Sequence, residues 1–535
     1  MINPKLRGII FTTAAAAIVA GCGADEIASP GTGGNVTINN NTTNPPPPPP
    51  PPPPPTVTLV TPAGGCPVIT DPQGLADNGT VTGPTGTYRV CTLPARLNVS
   101  SNLPRIGGLL YRIAGRVDVG TDQGPTEETT DPANVILTVA PGVILFGEAG
   151  QSWININRGN QIVANGTAAL PIIFTSRANV ENNAQDPITD NSSGQWGGVV
   201  LSGRAPVTDC FSPGAAPGTI ACDRQVEGAF DPARFGGATG NDNSGTMRFV
   251  QIRYSGFILS GNSELQALTT GGTGSGTILE NIQSHNSSDD GMEFFGGVVN
   301  ARNFAVTGAE DDSLDTDVGI KANFQYVVAV QRTSTTVGDS IIEADSDNAV
   351  DGDLPRQNTR ISNFTFVQRR ATPGNGTAIL LRGGTDYALV NGVLVSPNTT
   401  CLTISRAQTA STVVNAAIDE VGAPIFRSVV LQCGATPFGG VSGVTVADVQ
   451  AIFGSGSNGN NSAFTPTLTA SFANGANETA VTAFDAATLN PFFMTTTFIG
   501  AIRDANDTRF QGWTCNSATA NFGGTGSACT TLPTI

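Results

Sequence analysis

Beyond residue 56 the chain is a succession of short runs of Val, Ile, Leu and Phe in which apolar and polar positions alternate. Gly, Asn, Pro or Thr/Ser clusters cut each run short. Three such stretches are "LTVAPGVILFG" (137–147), "IVANGTAALPIIFTS" (162–176) and "WGGVVLSG" (196–203). A two-residue period between turn formers predicts β-strands. Helical periodicity is almost missing. One helix is predicted at 446–454, "VADVQAIFG", where Val446, Val449 and Phe453 fall at helical spacing and Gly454 supplies the stop.

The strands repeat. Aligning Asn281 with Asn303 lays "ILENIQSHNSSDDGMEFFGG" over "VNARNFAVTGAEDDSLDTDV", with Ile282 over Phe304, Met292 over Leu314, and Asp289 and Asp290 over Asp311 and Asp312, at an offset of 22. A further step of 22 reaches "FQYVVAVQ" and sets Tyr326 against Phe304; a six-residue insertion then brings "SIIEADSD" into line with "SLDTD". "RISNFTFVQ" (360–368) and "ALVNGVLVSP" (388–397) repeat the first strand, and "TAILLRGG" and "CLTIS" the second. One such unit cannot bury its own apolar face, whereas a stack encloses a continuous core. The predicted fold is all-β, a parallel β-helix.

The three upstream stretches, taken in order, resemble a signature of right-handed β-helix domains in bacterial surface proteins, and "FIGAIRDANDTRFQGWTCNS" (498–517) is similar to the closing segment of secreted solenoids. The resemblance covers about residues 105–400 and implies the right-handed form and no particular activity. The organisation expected is an N-terminal cap region with a disulfide at 57–104, the β-helix at 105–433, and a disulfide-bonded C-terminal cap region at 434–535.

The N-terminus has another character. Lys5 and Arg7 precede an apolar run, Gly8–Ala20, too short to span a bilayer, which marks 1–21 as an export signal. Its end, "IVAGCG", resembles the lipobox of bacterial lipoproteins, which implies acylation of Cys22. By the same resemblance Gly23 implies an outer-membrane lipoprotein, expected at the cell surface, with the periplasmic face as the alternative. Residues 22–56 form a proline-rich tether: Pro45–Pro55 predict a polyproline II spacer of about 3.1 Å per residue. Setting Cys22 aside leaves eight cysteines in an exported chain. Of the roughly 105 pairings available, the one with only local loops joins Cys66 to Cys91, Cys210 to Cys222, Cys401 to Cys433 and Cys515 to Cys529.

The net charge of −16 argues against nucleic acid or an anionic membrane surface as partner. With one histidine, and one lysine left after processing (Lys321), general bases are scarce, which weighs against an enzyme. The acidic residues are instead concentrated. A 22-residue coil stacks Asp289 on Asp311, Asp290 on Asp312 and Glu293 on Asp315 at the spacing of paired strands, about 4.8 Å. Two ionised carboxylates that close repel by about 3 kcal/mol at an effective dielectric near 20. Asp317 and the following Glu343, Asp345 and Asp347 extend the acidic face; Ala349 and Val350 break any EF-hand pattern there. One or more structural Ca²⁺ sites formed by these ten residues is one reading. A solvated face whose aspartates cap turns is the other.

Polygalacturonases are resembled only in an adjacent aspartate pair, without their histidine or Arg-x-Lys segment. A pectate-lyase pattern needs calcium carboxylates and a base, and no arginine here stands at a fixed spacing from the aspartates. His285 reads as a hydrogen-bonding surface residue of a turn. Asn281, Asn303, Asn363 and Asn391 read as a structural ladder, and Phe294, Phe295, Trp153, Trp196 and Trp513 as core. The leading functional reading is a surface-anchored, non-catalytic module for binding, adhesion or surface assembly, with a glycan or a surface protein as partner. An accessory lipoprotein capturing ligand for an outer-membrane receptor comes next, then a polysaccharide lyase or glycoside hydrolase.

Overall fold

A computed structural model describes residues 59–126, 134–261, 263–334, 338–347, 350–374 and 376–535. The signal segment, Cys22 and the proline tether lie outside them. Among the described residues no helix is long and apolar enough to cross a membrane.

The chain forms a right-handed parallel β-helix. Among the described residues, most coils give one short strand to an 11-stranded sheet and one longer strand to a 15-stranded sheet, to which the N-terminal coils add the short strands Ser101–Leu103, Ile136–Val139 and Gln161–Asn165. Residues of successive coils pair in register, so Ile282, Phe304, Val327, Phe364, Gly392 and Val429 stack through the long-strand sheet. Phe294, Phe304 and Phe324 pack ring against ring inside the coil, with centroids 4.9–6.1 Å apart. The register corrects one sequence match. Phe304 pairs with Val327, and the offset between Val298–Thr307 and Lys321–Val330 is 23. A slip of one residue would have turned the core face outward, so burial of Phe324 and Val327 decides the register.

Tyr326 instead joins the ladder of Asn281, Asn303, Asn363 and Asn391. All five have φ between 56° and 63°, and each falls where the register skips one residue and the long strand bends. Asparagine enters this left-handed region at low cost. Parallel pairing starts inside the expected N-terminal cap region, with Gly86–Thr92 against Leu109–Ile113, and ends at Phe438–Val441. The four disulfides are Cys66–Cys91, Cys210–Cys222, Cys401–Cys433 and Cys515–Cys529.

Within 434–535 only the helix Val446–Phe453 closes the end of the coil, its Phe453 packed on Phe426 and Phe438. The remainder runs back along the outside of the long-strand sheet. Asn391 holds Phe484, Asn363 holds Phe498 and Gly500, Gln283 holds Cys515, and Gly108 at the far end donates to the Ile535 carbonyl. The cause is the outer face itself. Val328, Val330, Val393 and Val430 point outward there, and Ile499, Phe472 and Trp513 cover them.

Candidate metal centre

Three successive short strands, Met292–Phe295, Leu314–Asp317 and Ile342–Ala344, pair so that Glu293 lies beside Asp315 and Asp315 beside Glu343. Side chains alternate along a strand. Met292, Leu314 and Ile342 therefore enter the core, and the three acids form an outward column. The preceding turns stack as well. Asp312 N donates to Asp290 Oδ1 (2.9 Å), Ser340 N to Asp312 Oδ1 (2.6 Å), and Asp339 N to the Asp311 carbonyl (3.2 Å). Asp290 and Asp312 form a second column, and Asp289, Asp311 and Asp339 a third.

Ten carboxylates and one amide, Gln266, line the resulting cleft of about 290 Å³. The ten are Asp289, Asp290, Glu293, Asp311, Asp312, Asp315, Asp339 and Glu343 from the coils, with Glu227 and Glu264 from inserted loops. Arginines touch only its margin, and those are engaged: Arg382 with Glu343 and Asp345, Arg332 with Glu310, and Arg370 with Asp339 at 3.8 Å.

Burial and mutual repulsion raise the proton affinity of the cleft. Burial first, then the charges of Glu264, Asp311 and Glu227, push Asp289 up to about 7. Asp290, Glu293, Asp312 and Asp315 are held well above the usual carboxylate range, by burial and then by neighbouring acids. Asp311 is raised by burial and by Asp339. Glu343 is raised by burial, against which Arg382 acts.

Two trios come together. One oxygen from each of Asp289, Asp290 and Asp311, and one from each of Asp290, Glu293 and Asp315, lie within 4.8 Å of one another. An all-carboxylate oxygen set is the donor chemistry of a hard cation such as Ca²⁺. Glu293 carries the sharpest signal. It is only 6% exposed and lines the cleft, with its carboxylate facing those of Asp290 and Asp315.

The other expected ligands sit apart from the trios. Asp317 and Asp345 occupy the next outward position along their strands, Asp345 beside Arg382, and burial followed by Asp345 raises Asp317. Asp347 does not line the cleft; its Oδ1 accepts from Val350 N at 3.0 Å. Asp339, Glu227 and Glu264 were missed. Asp339 was legible, three positions before Ile342 as Asp311 is before Leu314, but the six-residue insertion hides the match. The two glutamates come from inserted loops with no period.

His285 is not a surface residue. It ends the strand Ile278–His285, fully buried, with Nδ1 2.9 Å from Thr307 Oγ1. Burial, then Arg253 and Arg332, push it down to about 3, so it is neutral. It lies beside Cys515 and Cys529, whose sulfurs are tied up in their disulfide. Phe294, Phe295, Trp196 and Trp513 are core residues, as is Trp153, which also borders a second cleft.

Residues 128–475 match the family model described as pectate-lyase like beta helix domain, more than half of the chain. No curated protein and no solved structure matches it. The chain belongs to the pectate-lyase-like β-helix family.

Proposed function

Starting from that membership, we propose that this protein is a non-catalytic binding module, anchored at the outer membrane through a lipidated Cys22, whose working surface is the short-strand face of the β-helix. Its acidic cleft takes Ca²⁺ in the trios Asp289/Asp290/Asp311 and Asp290/Glu293/Asp315. The ion completes the surface to which a glycan or a surface protein binds. The observation that carries the reading is the pair of trios, in each of which one oxygen from each of three carboxylates lies within 4.8 Å of the others, in a cleft that no basic residue lines among the described residues. A cation held between them relieves the repulsion.

The arrangement favours binding over turnover. The marginal arginines are paired with acids, and neutral His285 faces Thr307.

Calorimetric titration of chelator-treated protein with CaCl₂ tests the cation: saturable binding that releases protons is the expected result, and no heat together with an unchanged thermal midpoint refutes it. Anchoring is tested separately by palmitate labelling, which Cys22→Ser should abolish.

A further inference from the structure

The inserted loop that gives Glu227 to the acidic cleft walls a second cleft with its next residues. Gly228, Ala229, Phe230 and Asp231 meet Arg116, Gln151, Trp153 and Leu259 around a space of about 210 Å³. Phe230 is 80% exposed at the loop tip, and the loop beneath it is fixed. Val226 N donates to the Ala233 carbonyl, Gln225 Nε2 to the Ala229 carbonyl, and Arg116 Nη1 to the Asp231 carbonyl (2.7 Å). Val226, Ala229 and Ala233 are buried. A benzene ring is thus presented to water on a braced support.

The polar groups around it are unspent. The indole N–H groups of Trp196 and Trp513 donate to the Arg253 and Arg509 carbonyls. Trp153, only 4% exposed, finds no acceptor for its own among the described residues, and its ring carries the Arg116 guanidinium at 4.9 Å. The Asp231 carboxylate and Gln151 Oε1 likewise make no hydrogen bond or ion pair. Arg116 pairs with Asp118 at 2.8 Å, a carboxylate it shares with Arg96, so Arg116 and Asp231 leave the cleft without a strong net charge.

We propose that this second cleft binds a neutral sugar ring, an uncharged pyranose of a glycan, stacked on Phe230 with its hydroxyls hydrogen-bonded to Trp153 Nε1, Asp231 and Gln151. The C–H face of a pyranose is apolar and slightly positive, the complement of an aromatic face. A carboxylate accepts from two neighbouring hydroxyls, and a buried indole N–H donates to a third. A few convergent polar groups beside an aromatic ring make an orienting site. The acidic cleft across the same loop disfavours uronic acids. The proposal does not depend on calcium.

Isothermal titration in chelator, with gluco-, manno-, galacto- and xylo-oligosaccharides and with oligogalacturonate, tests it. At least one neutral oligomer binds the wild type. Phe230→Ala, a change at an exposed ring, weakens that binding about tenfold or more, Phe230→Tyr restores it, and the uronate binds more weakly. The proposal is overturned if no neutral oligomer binds, if Phe230→Ala leaves the affinity unchanged, or if oligogalacturonate binds more tightly.

Discussion

Glu293→Gln should have opposite effects with and without calcium. Glu293 faces one oxygen each of Asp290 and Asp315 within 4.8 Å. Each fully ionised pair costs about 3 kcal/mol at an effective dielectric near 20. Protons are shared in the metal-free cleft, because burial and repulsion hold these groups well above the ordinary carboxylate range. The relief from removing one charge is therefore a fraction of two pairs, about 1–3 kcal/mol at pH 8. Unfolding a body of this size carries about 1 kcal/mol/K of entropy, at about 2 cal/mol/K per residue. In chelator the variant's thermal midpoint should rise by about 1–3 °C. In the wild type, calcium at about 100 times its dissociation constant adds about 2.7 kcal/mol per ion, a rise of about 3 °C. In the variant, which lacks a ligand of the central trio, that rise should shrink to about 1 °C or less. Scanning calorimetry in chelator and in CaCl₂ reads both signs. A variant destabilised equally in both buffers would make Glu293 a packing residue and refute the reasoning.

Stability of the metal-free protein should fall as pH rises: a carboxyl whose folded pKa is raised favours folding below its unfolded value, 3.8 for aspartate, and loses that contribution as pH passes its folded value, about 7 for Asp289. Melting in chelator from pH 4 to 8 should show this decline and calcium should flatten it; a midpoint that rises over the range would contradict the assignment. Arg382→Gln frees Glu343 and Asp345, so calcium affinity should increase several-fold in calorimetric titration, and a weakened response would mean that the arginine supports the site. Gly392→Ala places a Cβ 1.8 Å from Phe364 Cζ, overpacking the core by about 1–3 kcal/mol; urea denaturation unchanged from wild type would show that the Phe364 ring yields freely.

Much of the fold was legible because a solenoid writes its geometry into the chain as a period. Asn281 and Asn303 mark the bends, Met292 and Leu314 the core, and the aspartate pairs the turns, all at one offset. The reading failed where the period breaks. The loop before Lys321 is longer by one residue, which moved Phe304 from Tyr326 to Val327, and the insertion before Ile342 concealed Asp339. Glu227 and Glu264 close one wall of the cleft from loops that answer to no repeat. His285 stands beside Asn286 and Ser287, a turn-like composition, and what buries it includes a C-terminal segment more than two hundred residues away. That segment is held by its apolar cover of the outward valines and by side-chain amides bonded to its backbone, as Gln283 is to Cys515. The amide contacts need no complementary side chain, so they leave no pairwise trace in the sequence.

The acidic column is not something the coil itself demands. The same outward position is occupied in successive strands by Val200, Thr269, Glu293, Asp315, Glu343, Leu380 and Thr403. Aliphatic and hydroxyl side chains stand there without disturbing the ladder, so three consecutive carboxylates are a departure confined to three coils. Stacking multiplies whatever a position carries: an apolar residue gains a neighbour of its own kind, whereas a charge gains a repulsion. At one end Arg382 answers that repulsion by pairing with Glu343 and Asp345. Glu293 and Asp315 form no ion pair among the described residues, though the charge of Arg382 reaches Asp315. Acids paired at the edge and crowded at the centre form the charge distribution that a bound cation would balance, and Glu293, between Asp290 and Asp315, is the residue whose substitution tests it.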